Sequence, residues 1–188
     1  MSGIITSGLN RSSGLLKAAA VGGNTPGFLA TRGLDGDSGD NLRVLVNDNT
    51  LDQVEFNQEV YDSDGCYDTS NFRFTPNKAG FYFLQTTCST GSYTDRHITS
   101  RIFLRKNGGT GDNILAGAVY HGGDQSSGYD NDQDALLRCH AIEQFNGTTD
   151  YVEVWCLIDI TIYNPRIAGG NLTDTYRQSN FQGFFIGT

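Results

Sequence analysis

Residues 150–163 read DYVEVWCLIDITIY and decide the fold class. Apolar side chains occupy every second position from Val152 to Ile162, while Glu153, Asp159 and Thr161 stand between them. In a β-strand alternate residues point to opposite faces, so this segment would place six apolar side chains on one face. A slip of one residue would expose all of them, and the alternation therefore predicts a strand of fixed register.

A second segment, residues 97–106, repeats the pattern with Ile102 and Leu104 on one face. Each of the two segments also carries a large aromatic residue on its other face, Trp155 in the first and Phe103 in the second. A β-sandwich uses only one face of each strand for its own core, so these rings predict a contact with another chain. Cover by a loop of the same chain is the alternative.

The composition also favours strands. The 188 residues include 24 Gly, 11 Phe and 9 Tyr but only 3 Pro and one Met, a balance typical of short strands joined by tight turns. From Leu42 onward, apolar runs recur about every 10 to 15 residues between turn signals such as Asn107-Gly and Asn146-Gly. This spacing predicts one all-β domain, a sandwich or a barrel.

The first 41 residues differ from the rest of the chain. They are rich in Gly, Ser, Thr and Asn, and their apolar residues are too irregular for an amphipathic helix or a long strand. We predict an extended N-terminal arm over residues 1–41, docked on a partner, on a neighbouring copy or on its own domain. The β-domain would then span residues 42–188.

The net charge of −8 disfavours nucleic acid as a partner, because an acidic surface repels the phosphate backbone. No apolar run approaches the roughly 18 residues that cross a bilayer, and the start of the chain lacks the layout of a secretory leader. We therefore expect synthesis in a cytoplasm and no membrane contact.

Motifs that carry catalytic chemistry are absent from the sequence, including Gly-x-Ser-x-Gly, His-Glu-x-x-His, Gly-Lys-Ser/Thr and Gly-x-Gly-x-x-Gly. His97, His121 and His140 have no nucleophile or metal-ligand partner at a telling spacing, and we interpret them as structural. We predict no enzymatic activity, no catalytic or cofactor-binding residue and no cofactor.

The cysteines and the acidic segments are the remaining candidates for metal chemistry. Cys66, Cys88, Cys139 and Cys156 form no Cys-x-x-Cys pair, and we predict reduced, buried thiols, with a disulfide or a zinc site as alternatives. Residues 35–41 (DGDSGDN) and 130–134 (DNDQD) carry carboxylates at alternate positions but no bidentate Glu at the twelfth position of a calcium loop. We interpret both as solvated turns, with calcium as the alternative, and predict no metal-binding residue.

One spaced pattern resembles a known family. Its positions are Phe56, Asp62, Tyr67, Phe74, Gly80 and Tyr82. Their spacing resembles the signature of the C1q-like domain, the globular head shared with the tumour-necrosis-factor (TNF) superfamily. The last strand of that family reads Phe-x-Gly-Phe-aliphatic, and residues 181–186 (FQGFFI) are similar to it.

The resemblance covers residues 42–188 and departs from the family at two points. Leu84 and Thr86 stand where the family has further aromatic residues, and the sequence carries no collagen-like Gly-x-y repeat. It implies a jelly roll of ten strands in which three protomers pack around an axis. The opening residues 1–17 (MSGIITSGLNRSSGLLK) are similar to the starts of small virion proteins of tailed phages.

Together the two resemblances imply a virion structural protein, assembled in the bacterial host cytoplasm. We expect a capsid decoration or cement protein, a homotrimer whose arm contacts the major capsid protein or another virion protein. The alternative is a receptor-binding or fibre-tip protein of the phage tail or head. In that case the loops of residues 108–134, with Tyr93, Tyr120 and Tyr129, would contact a host glycan or protein.

Overall fold

The computed structural model describes residues 25–33, 42–44, 49–92, 97–108, 113–122, 135–160, 165–169 and 179–188. These residues form thirteen β-strands in two sheets, which confirms the all-β prediction. The strands are β1 (Gly27–Thr31), β2 (Leu42–Val44), β3 (Leu51–Gln53), β4 (Gln58–Asp62), β5 (Tyr67–Asp68), β6 (Arg73–Phe74), β7 (Gly80–Ser92), β8 (His97–Lys106), β9 (Ile114–His121), β10 (Ala135–Phe145), β11 (Val152–Ile160), β12 (Pro165–Ala168) and β13 (Asn180–Gly187).

Sheet A has seven strands in the order β2-β12-β7-β13-β1-β4, with β10 on the free side of β7. The longest ladder joins β7 to β10, from Gly80 opposite Phe145 to Thr90 opposite Ala135. On its other side β7 pairs first with β13 and then with β12. All of these pairings are antiparallel.

Sheet B has six strands in the order β5-β6-β11-β8-β9, with β3 beside β11. The strand predicted from residues 150–163 is β11, and residues 161–163 lie outside the described residues. It pairs with β8 from Val152 opposite Lys106 to Ile160 opposite His97. The two segments that predicted the fold are therefore neighbours in one sheet.

The core lies between the two sheets. The inward residues of β11, among them Val154, Cys156 and Ile158, are fully buried, as the alternation predicted. Aromatic rings fill the rest: Phe28 stacks on Phe74 with 4.2 Å between ring centroids. Such large side chains supply most of the apolar burial in a domain of this size.

The residues that carry the family resemblance have clear structural roles. The four aromatic ones, Phe56, Tyr67, Phe74 and Tyr82, are buried in the core. Asp62 fixes the turn after β4, because its carboxylate accepts the backbone N–H of Tyr67 at 2.7 Å and that of Asp64 at 3.2 Å. These five signature residues therefore pack in the core or fix a turn.

Gly80, the remaining signature residue, begins β7 with φ at +146°, a conformation that residues with a side chain rarely adopt. A Cβ at this position would lie 2.5 Å from Cε2 of Phe185 and 2.6 Å from the carbonyl oxygen of Gly187. Glycine lets the start of β7 pass this close to the end of β13.

The domain begins earlier than residue 42. Strand β1 lies inside the predicted N-terminal arm, yet it is an inner strand of sheet A, paired with β13 on one side and β4 on the other. Phe28 and Ala30 point from it into the core. Residues 27–31 therefore dock on their own domain, one of the three options for the arm, while residues 1–24 and 34–41 lie outside the described residues.

Candidate functional site

The outer face of sheet A, turned away from sheet B, carries apolar side chains in the open. On β10 the residues alternate between buried and exposed positions. Leu137 and Cys139 point inward, whereas Leu136 and Ile142 point outward and are each 64% exposed. A side chain of this size gains about 1.5 to 3 kcal/mol from full burial, so much of that gain is unrealised in one copy.

Strand register extends this exposed surface across the sheet. Ile142 on β10 stands opposite Phe83 on β7, and Phe83 stands opposite Phe184 on β13. The rings of Phe83 and Phe184 lie 5.3 Å apart, and the ring of His140 stacks on Phe83 at 6.1 Å. Phe184 is 55% exposed. An aromatic strip therefore crosses three adjacent strands.

A second row of side chains, paired across the same strands, continues the surface to β4 at the edge of the sheet. His140 stands opposite Gln85, Gln85 opposite Gln182, Gln182 opposite Leu29, and Leu29 opposite Tyr61 on β4. We call the two rows together with their exposed neighbours the apolar face. Its members are Leu29, Tyr61, Phe81, Phe83, Gln85, Leu136, His140, Ile142, Gln182, Phe184 and Ile186.

The charge of this face differs from that of the whole chain. The outward positions of β1, β7, β10 and β13 in the described residues hold no carboxylate, although the chain contains 21 Asp plus Glu. Arg138 is the permanent charge there, and its Nε donates to Oγ1 of Thr87 at 3.2 Å. Depletion of charge around exposed aromatic residues is typical of the centre of a protein interface.

The outer face of sheet B differs in that its two large aromatic side chains are partly covered, although Val119 on β9 is 52% exposed. Trp155 and Phe103, which predicted a contact with another chain or cover by a loop, are both half-buried. The guanidinium of Arg105 lies 4.6 Å from the centre of the Trp155 ring. Side-chain cover from a neighbouring strand thus accounts for part of the burial of Trp155.

A fully buried carboxylate lies beside Trp155. Oε2 of Glu153 accepts Nε of Arg73 at 2.9 Å and Nε2 of Gln53 at 3.2 Å. Arg73 also stacks on the ring of Tyr151 at 4.2 Å. A buried charge is tolerated only when paired in this manner, so the cluster holds β3, β6 and β11 in one arrangement.

The four cysteines are free and buried, as predicted. Burial raises the pKa of Cys88 and of Cys139 to about 12 each, and it raises the pKa of Cys156 well above the ordinary value. The described residues contain no group of three or more His, Cys, Asp or Glu arranged to hold a metal ion. At neutral pH these thiols act as small apolar side chains.

The other candidates from the sequence are scattered. His121 is exposed on β9, with Nδ1 3.3 Å from Oγ1 of Thr99, and Tyr120 is half-buried and packs against the core. Tyr93, Tyr129, the two acidic segments and the side chain of His97 lie outside the described residues. Within the described part of the chain no helix has the length and hydropathy to span a membrane.

The apolar face does not stand out in the sequence. Its residues come from strands that carry apolar side chains at both odd- and even-numbered positions: Leu136 is followed by Leu137, and Ala141 by Ile142. Such doublets were the available signal, since a strand with one solvated face carries polar residues on that face. Which member of each doublet points outward depends on how the two sheets pack.

No family model and no curated protein matches this chain. Solved structures do. The globular domain of zebrafish complement 1qA protein superposes with a TM-score of 0.51 at 13% identity, over 86% of this chain and 97% of that one. Murine APRIL at pH 5.0 superposes with a TM-score of 0.54 at 8% identity, over 87% of this chain and 100% of that one.

The chain has a C1q/TNF-like jelly-roll fold. This confirms the fold that the six spaced residues predicted. At such low identity the likeness extends to the fold alone.

Proposed function

We propose that this chain is a non-enzymatic structural subunit that assembles as a homotrimer through the apolar face, and that it decorates and stabilises a phage capsid. The observation that carries the proposal is the exposed aromatic surface of sheet A, whose outward positions on β1, β7, β10 and β13 hold no carboxylate in the described residues. Leu136, Ile142 and Phe184 are each more than half exposed, and burying them would contribute roughly 1 kcal/mol apiece in every copy. Identical copies supply such cover in a closed, symmetric assembly.

The charge distribution supports association of like copies. Each copy carries a net charge of −8, so two copies repel wherever their acidic surfaces approach. Contact is least costly where carboxylates are missing, and the outward positions of β1, β7, β10 and β13 meet that condition. The same strands carry the exposed side chains of Phe81, Leu136, Ile142, Phe184 and Ile186.

The phage setting rests on the sequence. Residues 1–17 are similar to the starts of small virion proteins of tailed phages. An arm rich in Gly, Ser and Thr that precedes a trimeric domain suits attachment to a shell, with the major capsid protein or another virion protein as its partner. Assembly in the host cytoplasm and residence in the virion follow from that role.

A receptor-binding or fibre-tip role has less support. Of the three tyrosines that would contact a receptor, Tyr120 is the one within the described residues, and it packs against the core. The copy number in purified virions separates the two roles. A copy number comparable with that of the major capsid protein favours decoration, and a small fraction of it favours a fibre tip.

The trimer is tested by sedimentation of the full chain near neutral pH. We expect a trimer for the wild type and a folded monomer for Ile142→Asp, because the substitution places a carboxylate on the apolar face. The matched control is Val119→Asp, which alters a side chain of similar exposure, 52%, on β9 of sheet B and should leave the trimer intact. A monomeric wild type, or an Ile142→Asp variant that remains trimeric, would contradict the proposal.

The stabilising role is tested on particles. Virions lacking this protein should lose their genome at a lower temperature than complete virions, and adding back the wild-type chain should restore heat resistance. Adding the Ile142→Asp variant should not. Equal heat resistance with and without the protein would remove the decorating role and leave the trimer untouched.

A further inference from the structure

We propose that assembly through the apolar face depends on pH and that His140 is the group that responds. This inference rests on the self-association proposed above and adds its regulation. His140 lies on the outward side of β10, between Arg138 and Ile142 in the alternation. Its ring stacks on Phe83 with an interplanar angle of 26°, so the imidazole is part of the aromatic strip.

The charged group beside His140 in the described residues is a cation. Opposite it, β7 presents Phe81, Phe83, Gln85, Thr87 and Ser89 on the outer face, and beyond β7 the strand β13 presents Asn180, Gln182, Phe184 and Ile186. None of these side chains titrates. On its own strand the charged neighbour on the same face is Arg138, a permanent cation.

The nearby carboxylate of β10 cannot compensate an imidazolium. Glu143 occupies a position that alternates with the outward residues of β10, and its Oε1 already accepts a hydrogen bond from Nζ of Lys106 at 3.0 Å. On β9, which runs beside β10, the titratable residues are Tyr120, packed against the core, and the exposed His121. Glu59 on β4 lies four strands away, about 19 Å at the usual strand spacing.

A neutral imidazole can be buried against aromatic rings at little cost, whereas an imidazolium beside a guanidinium meets no counter-charge from the described residues of this face. The assembled form therefore binds fewer protons at His140 than the free copies do. Protonation of this histidine therefore opposes assembly, and we expect trimers at about pH 8 that dissociate on acidification to about pH 5.

The net charge of the chain changes in the opposite direction. Acidification reduces the net charge of −8 and thereby weakens the repulsion between copies, which favours assembly at low pH. Dissociation on acidification is consequently the signature of a local cation on the interface. A general charge effect would produce the reverse.

The experiment is sedimentation velocity of the full chain at about pH 8 and about pH 5. We expect the wild type to be trimeric at the higher pH and monomeric at the lower. His140→Gln, which matches Gln85 and Gln182 in the same row, should be trimeric at both. His140→Lys should be monomeric at both, because its charge is permanent. His121→Gln, a control on sheet B, should behave as the wild type does.

The outcomes separate this inference from the function on which it rests. A wild-type monomer at about pH 8 overturns self-association and this inference with it. A wild type that is trimeric at both pH values, or a His140→Gln variant that still dissociates in acid, overturns the role of His140 alone. Near-UV circular dichroism, with the Ile142→Asp monomer as reference, verifies that the acid monomer is folded.

Discussion

Single positions in this domain hold conformations that no other residue type fits, and Gly80 is the clearest case. With φ at +146° and the Phe185 ring 2.5 Å from where a Cβ would stand, Gly80→Ala would suffer both backbone strain and a clash. We expect it to lower the free energy of unfolding by about 2 to 4 kcal/mol, measured by urea denaturation. Gly187→Ala is the matched control, because a Cβ there meets no atom within 4 Å. Equal stability of the two variants would contradict the account.

The buried carboxylate of Glu153 gives a second prediction at the scale of one residue. Glu153→Gln keeps the shape of the side chain but removes the charge that faces Arg73, and we expect a loss of about 1 to 3 kcal/mol in unfolding free energy. Glu143→Gln removes a carboxylate from a part-exposed pair with Lys106 and should cost less than about 1 kcal/mol. Equal stability of the two variants in urea denaturation would show that the buried charge of Glu153 contributes no more than a part-exposed pair.

At the scale of the strand, the sequence predicts what alternation determines. The inward set of β11 and the neighbouring β8 followed from period-two patterning, since a slip of one residue would expose every apolar side chain. Strand β1 did not follow, because five residues reading GFLAT show no regular alternation. Its position is set by pairing with β13 and β4, distant parts of the chain that a local pattern does not contain.

The apolar face could be predicted only in part for a similar reason. Apolar doublets on β10 indicate that both faces of the strand are apolar. They do not indicate whether the odd- or the even-numbered residues face sheet B, because that depends on the packing of the two sheets. Lateral neighbours such as Phe83 and Phe184 also come together only through register.

The buried cysteines on β7 and β10 should make the stability of the domain fall at alkaline pH. An unfolded thiol ionises near pH 8.5, whereas burial raises the pKa of Cys88 and Cys139 to about 12 in the fold. Above pH 8.5 the unfolded state therefore binds fewer protons, and stability falls by up to about 1.4 kcal/mol per pH unit for each thiol.

Urea denaturation at about pH 8 and about pH 10 measures this loss. The double variant Cys88→Ala, Cys139→Ala should start less stable, since two buried side chains are truncated, but should lose less stability between the two pH values. If its loss on alkalinisation equals that of the wild type, the buried thiols are not its cause.

At the scale of the molecule, the two sheets differ in how their outer faces are completed. Around β11 of sheet B, the ion pair of Arg73 with Glu153 and the stacking of Arg105 on Trp155 cover large side chains within one copy, whereas Val119 on β9 stays exposed. Sheet A leaves its aromatic strip exposed, and the outward positions of β1, β7, β10 and β13 hold no carboxylate in the described residues. In an acidic chain this asymmetry favours the proposed contact between identical copies through sheet A.

Hydroxyl-radical footprinting of the full chain tests this central claim most directly. In the wild type at near-neutral pH, Phe184 should be oxidised several times more slowly than in the Ile142→Asp variant, because only the wild type covers it with another copy. Val119, exposed on sheet B, should react at the same rate in both. Equal oxidation of Phe184 in the two proteins would show that the apolar face faces solvent, and would contradict the account.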